Sequence, residues 1–384
     1  MKGMRKEQRG LALTAAYMVV AVIFILSGAM HMRSVQDKGL SDRYINGMNA
    51  FYLAESGIDQ ALVNLRANPS APSIPYTSSN VIQGGYQVNI ENVGATLRRF
   101  TSIGYVPSNN PAGVAYMERR LEGYASNTAF GLGIFGVEEI ELKGNVVVDS
   151  YDSSLNPNPI TFNSNGSVGT NAVNAGAVEL QGNTRVLGNV LTGPGSNPSL
   201  VVKITGNAYV SGSLSAQNSA MQVSAPIVPP GTPNGGNLTL TGSTTLTLPG
   251  GTYWYNKIDM SGNSSLIFTG KTNLYVSGKV SLNGNNLITT QAGNGNNLPT
   301  NLTLYVVTTD EVEFSGNGRI YSAIYAPRSE FEASGNVQIY GGVVAKEIEM
   351  NGNANLHYDE ALTRDGLSSS NDWRLISWRE VFNP

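Results

Sequence analysis

The sequence predicts a mainly β protein carried on one long N-terminal helix, with a small antiparallel β-meander between that helix and a β-solenoid head. Three observations lead there. An uncharged stretch from Leu11 to Met30 runs directly into an amphipathic stretch that ends at Leu65. Three alternating runs follow between residues 84 and 126, and beyond them nine segments repeat one pattern centred on a glycine. The composition agrees with this reading. Charged residues make up 13% of the 384, there are 44 glycines, and cysteine is absent. Low charge and many small polar residues suit a β-rich fold outside the cytoplasm, and neither disulfides nor thiolate–zinc sites are available to it. A net charge of −3 gives no sign of a nucleic-acid partner, and two histidines, His31 and His357, leave little room for histidine-based catalysis.

The helix is argued from charge and period. Lys2, Arg5, Lys6 and Arg9 precede the apolar run and place the amino end on the cytoplasmic side of a membrane. Twenty uncharged residues are enough to cross a hydrocarbon core of roughly 30 Å. Then Tyr44, Met48, Phe51, Glu55, Ile58, Leu62 and Leu65 step by 4, 3, 4, 3, 4 and 3, a stripe on one face that only Glu55 interrupts. "ANPSAPSIP" ends the pattern at Asn68–Pro69. "SGA" at Ser27–Ala29 offers a signal-peptide cleavage site, yet the helical pattern carries on past it.

The leader "KEQRG", the apolar helix and "AFYLAESGIDQAL" together resemble the N-terminus of PilX-type minor pilins. The resemblance covers about residues 5–66. It implies that a prepilin peptidase cuts between Gly10 and Leu11, that the new amino end is methylated, and that residues 11–67 pack in a filament core after leaving the bilayer. Major pilins of the wider family carry Glu as the fifth mature residue; here that position is Ala15. A subunit without that carboxylate resembles the minor pilins that sit at or near a filament tip. Expected partners are other pilins and minor pilins, the inner membrane before assembly, and the peptidase.

Residues 68–83 read as a linker and 84–126 as the meander, from "GGYQVNIENV", "LRRFTSIGYV" and "VAYMERRLEGYA". Tyr86, Val88 and Ile90 share a face, and the Arg pairs 98–99 and 119–120 are expected at solvated strand ends. Residues 127–358 hold the repeat: "EIELKGN", "AVELQGN", "VVKITGN", "NLTLTGS", "KIDMSGN", "KVSLNGN", "EVEFSGN", "EFEASGN" and "EIEMNGN". Apolar residues stand four and two before the glycine and four after it. Spacings of 38, 24, 36, 20, 22, 32, 19 and 17 fit solenoid rungs with loops of variable length better than the regular blades of a propeller. Glycine suits the corner because it takes positive φ freely, and stacked corner asparagines have the geometry to bond along the axis. The β-sandwich with many hairpins is the alternative. Residues 359–384, with Tyr358, Leu362, Trp373, Leu375, Trp378 and Phe382, are expected to cap the solenoid or return onto its side. "VVDSYDSS", the "SGN" corners, "IYAPRSEFEASGN" and "LHYDEAL" also resemble an uncharacterised domain found downstream of PilX-type N-termini.

Two clusters offer chemistry. Asp149 and Asp152 in "DSYDSS" have the spacing of a capped turn or of a Ca²⁺ site, Ca²⁺ being the one cofactor the sequence suggests. Glu311 and Glu313, Glu330 and Glu332, and Glu347 and Glu349 fall at equivalent outward positions of three rungs. In register they would form an acidic ladder for cations or a basic partner. No catalytic motif is present, so the expectation is a structural, non-enzymatic subunit of a type IV pilus. It would reside in a bacterial inner membrane and then in an extracellular filament, acting in assembly initiation or surface contact. A minor pseudopilin of a type II secretion system and a membrane-anchored carbohydrate-active β-helix are the alternatives.

Overall fold

A computed structural model describes residues 4–381 apart from 69, 94–96, 114, 128–129, 160, 293–295 and 366–372. Its first element, α1 (Met4–Ala67), is a single helix of 64 residues, about 96 Å at 1.5 Å per residue. It is long and apolar enough to cross a membrane, and from Tyr17 to Ile45 its large apolar side chains stand exposed. Its last five turns lie on an antiparallel sheet. That sheet contains β1 (Ile74–Ser78), β2 (Gly85–Asn92), β3 (Leu97–Val106) and β4 (Met117–Ser126), with the C-terminal strand Arg374–Val381 as its fifth member beside β4.

Three expectations change here. The linker 68–83 contains β1. The tail 359–384 divides: Leu362, like Tyr358 just before it, lies in the solenoid core as expected, whereas Trp373 and the strand Arg374–Val381 join the helix–sheet unit, where Trp373 is fully buried among Ala54, Ile58 and Phe100. Phe382 lies outside the described residues. Arg98 is not solvated; it is buried with its guanidinium 4.6 Å from the Trp373 ring centroid, and desolvation pulls its pKa down.

The buried stripe of α1 is also shifted from the expected one. Ile58, Leu62 and Leu65 are buried, but Tyr44 is exposed and Met48, Phe51 and Glu55 are half-buried. The face against the sheet is built on Ala50, Leu53, Ala54, Gly57, Ile58 and Ala61. Small residues prevail because the helix rides very close to the strands. A Cβ on Gly57 would meet Val88 Cγ2 at 2.9 Å, and one on Gly104 would strike the Ala50 carbonyl. Ser102 Oγ, lying in that contact, donates to the Ala54 carbonyl at 2.7 Å.

The head is a parallel β-solenoid with three strands per rung. One rung, for example, consists of Lys257–Gly262, Ser265–Phe268 and Thr272–Val276. Each strand pairs in parallel with its counterpart in the next rung, and Leu, Ile, Val, Phe and Met fill the continuous column inside. All nine corner glycines take positive φ, between 66° and 126°. Side chains with a Cβ are disfavoured there by sterics, and a Cβ on Gly182 would also press the Gly144 carbonyl at 2.8 Å. The corner asparagines form the axial chain foreseen from the sequence. Carboxamide bonds of 2.7–3.0 Å link Asn207, Asn183, Asn145, Asn353, Asn336, Asn317, Asn285 and Asn263 in that order.

That order is not the order of the chain. The Gly144 rung stacks on the Gly182 rung on one side and on the Gly352 rung on the other. In space the corners therefore run 206, 182, 144, 352, 335, 316, 284, 262, 242. The chain enters the head at the third rung, builds to the 206 end, crosses to the 242 end, and winds back to dock its last rung on its first. Residues 217–236 make the crossing as a strap along the flank. Asn171 holds Met221 through two bonds of 2.7 Å, Tyr325 donates to the Ser224 carbonyl at 2.8 Å, and Asn234 bridges to Trp254.

Candidate functional site

The docking of last rung on first enlarges the acidic ladder. Glu313, Glu332, Glu349, Glu141 and Glu179 are consecutive register partners. Beside them Glu330, Glu347 and Glu139 form a second row, which Glu311 continues by sequence position. Neighbouring strands are about 4.8 Å apart, so like charges face each other at every step. Glu139, Glu141, Glu330, Glu347, Ile348 and Glu349 line a cleft of about 200 Å³.

Four lysines offset part of this charge. Lys279 reaches Glu311 and Glu313 at 2.8 Å each, Lys203 reaches Glu179 at 2.8 Å, Lys346 pairs with Glu347 and Glu138, and Lys143 pairs with Glu141. Among the described residues Glu330, Glu332 and Glu139 form no ion pair with a lysine, and Lys143 acts on Glu139 only through space. Burial first, and then the neighbouring carboxylates, raise the pKa of Glu332 and Glu139. Side chains on flat parallel strands point away side by side and do not converge. Accordingly, among the described residues no three His, Asp or Glu groups are placed to hold one metal ion. The face is a line of negative potential.

Asp149 and Asp152 are brought to the joint between first and last rungs, where both are engaged. Asp149 is buried with its carboxylate 2.6 Å from His357 Nδ1; desolvation raises its pKa and the histidine opposes that rise. Asp152 receives two bonds from Arg364, at 3.0 and 3.1 Å, and its pKa is lowered, burial opposing that fall and the bonds from Arg364 and Ser154 producing it. Of the two readings of this stretch the capped turn is present, Asp152 Oδ1 accepting from Ser154 N at 3.0 Å, and the pairs with His357 and Arg364 form a latch between residues 149–152 and 357–364. His357 completes the latch with Nε2 3.1 Å from Gln338 Oε1 and its ring stacked 4.1 Å from that of Phe162. Gly10, Leu11 and Ala15 lie on the backbone of α1, which is helical without a break from Met4.

Sequence reasoning missed Glu139, Glu141, Glu179 and Asp359. The first three carry the same signal as the rest, "EIEL" and "AVEL" before a corner glycine, but their place beside Glu347 and Glu349 depends on the rung order. Asp359 has a consequence for pH. It is wholly buried, accepts from Ser153 N at 2.9 Å and Ala361 N at 3.1 Å, and burial raises its pKa from 3.8 to about 6. A carboxyl that holds its proton more tightly when folded favours the fold fully below about pH 4 and loses that contribution as pH rises through about 6; the full swing is at most about 3 kcal/mol. Asp359→Asn retains the accepting oxygen. It is expected to raise the denaturant midpoint at pH 7.5 and to flatten the pH 4–7 dependence; equal slopes for both proteins would show that another group titrates.

A family model described as a domain of unknown function (DUF7305) matches residues 231–365, which span the end of the strap and the six rungs from Gly242 to Gly352. None of the curated proteins and none of the solved structures compared matches the chain. The matched segment is similar to that domain family, and the three rungs between residues 134 and 216 lie outside the match.

Proposed function

We propose that this chain is a structural subunit of a type IV pilus-like filament, a minor pilin that acts at or near the tip. The observation that carries the reading is the division of α1. Its apolar half stands bare while its second half is the spine of a five-stranded antiparallel sheet. A helix that only anchored the protein would need neither the close small-residue packing nor the extra length beyond the roughly 20 residues that cross a bilayer. A helix that passes from lipid into a bundle of like helices uses both, since its bare apolar surface finds apolar neighbours in each place. The resemblance of residues 5–66 to PilX-type minor pilins supports the same reading. The solenoid head then stands outside the filament wall, and its acidic face is the surface it offers to basic neighbours.

Mass spectrometry of the chain isolated from its host membrane tests this. The expected mature N-terminus is methylated Leu11; a chain that begins at Met1 would reduce the helix to a plain anchor. Ala15 adds a second arm. Ala15→Glu is expected to admit the subunit into the filament shaft, and incorporation still confined to the tip would remove the argument from the missing carboxylate.

A further inference from the structure

The two ends of the solenoid are not alike. At the 242 end the strap supplies a partial tenth rung: Asn234 bridges to Trp254, and Gly235 N bonds the Trp254 carbonyl at 2.8 Å. On the first face of the same rung Leu238 and Leu240 are only 8% and 6% exposed. At the 206 end nothing follows. Strands Val202–Ile204, Tyr209–Val210 and Leu214–Ala216 all pair on one side only, so three edges are open here, against two at the 242 end, where Asn237–Leu240 and Thr245–Leu248 also pair on one side. Among the described residues, the Gly206 carbonyl and Asn207 Oδ1 accept no hydrogen bond, although every other corner asparagine oxygen from Asn183 to Asn285 does.

The apolar columns show the same break. Two residues before the corner, Leu142, Leu180 and Met260 are sealed, whereas Ile204 is 41% exposed. Tyr209 is 45% exposed, Leu200 is 63% exposed, and Val210 and Leu214 are half-buried. Natural sheet edges are usually blunted by charge, proline or a bulge. Here the edge strands carry one charge, Lys203, already neutralised by Glu179 at 2.8 Å.

We propose that the 206 end is a dimer interface, at which a second copy of this chain docks its own 206 end across a two-fold axis. The end is uncharged overall, so two copies meet without repulsion. A two-fold turns the partner's strands antiparallel, which lets all three open edges find hydrogen-bond partners at once and is the commonest symmetry of homo-oligomers. Head-to-tail stacking would leave one of the three edges unmatched, because Asn234 and Gly235 already occupy the third-face position beside Trp254. Edge-to-edge rung docking without chain continuity is also something this fold does, since the Gly144 and Gly352 rungs meet in that way. The proposal is independent of the pilin reading and stands or falls by itself.

The absence of cysteine makes the test direct. The full-length chain in detergent carries Tyr209→Cys and is treated with a short bismaleimide. A covalent dimer is expected as the main product, while Thr245→Cys at the 242 end and Leu155→Cys on a remote loop stay monomeric. Adding Ile204→Lys to Tyr209→Cys, which sets like charges across the axis at an exposed position, is expected to cut linking at least tenfold. Three results would overturn the proposal: no excess of dimer over the Leu155→Cys control, insensitivity to Ile204→Lys, or preferential linking of Tyr209→Cys chains to Thr245→Cys chains.

Discussion

Gly104→Ala is expected to lift α1 off its sheet, with a loss of about 3 kcal/mol, the upper end of the usual cost of overpacking, in the stability of the helix–sheet unit. The added Cβ would overlap the Ala50 carbonyl and lie 2.6 Å from Ala54 N. Both obstacles are helix backbone, so no side-chain rotation relieves the clash and the helix itself must retreat. A retreat strips contacts from Ala54, Ile58, Ala61, Phe100 and Trp373 together, which is why one methyl group costs as much as a large core deletion. It also lengthens the Ser102–Ala54 bond. The check is chemical denaturation followed by tryptophan emission, which should shift to the red as Trp373 is wetted. Gly131→Ala, where an added Cβ meets nothing within 4 Å, should leave the midpoint unchanged.

Phe331→Ala is expected to cost about 3–5 kcal/mol in the head, and Phe331→Leu about 1–1.5 kcal/mol. Most rungs put Leu, Met or Phe two residues before the corner, but the Gly335 rung has Ala333 there. Its volume is made up by the phenylalanine two positions earlier, wholly buried with its ring edge-on to Phe314 at 5.3 Å and 85°. Alanine at both positions would leave adjacent gaps in one layer of the column, and parallel strands fixed at their spacing cannot close over them. Denaturant midpoints of the two variants, compared with a Val312→Ala control in the next rung, would show the difference; equal losses at 331 and 312 would mean that Phe331 has no such filling role.

Most of the architecture was legible because it rests on local rules. A glycine corner with apolar residues at fixed offsets writes one rung at a time, so Gly144 to Gly352 could be aligned without knowing how the rungs meet. The asparagine chain and the register of Glu313, Glu332 and Glu349 follow from that alignment alone. What depends on long-range docking was not legible. Nothing within "EIELKGN" says that its neighbour is "EIEMNGN", some 200 residues away, because every rung edge presents nearly the same backbone. Hence the sequence alone does not bring Glu139 and Glu141 to the acidic face, and it leaves Asp149 between a capped turn and a cation site without naming His357 as its partner. The end of the tail was misplaced for a related reason. Apolar and aromatic residues such as Trp373 and Leu375 announce burial, not which of two cores receives them. On the helix, a stripe read from large apolar residues overlooks a face made of Ala and Gly, where closeness rather than size is selected.

The rung order supports the seam, the strap, the extended acidic face and the bare 206 end, and one distance decides it. Spin labels at Tyr209→Cys and Thr245→Cys, measured by pulsed dipolar spectroscopy in the full-length chain diluted with excess unlabelled protein, report the separation of the 206 and 242 rungs. Eight rung spacings lie between them, about 4 nm at 4.8 Å per step. A distribution centred near that value is expected. A separation under about 2 nm, as for rungs stacked in chain order with the 206 and 242 corners adjacent, would contradict it.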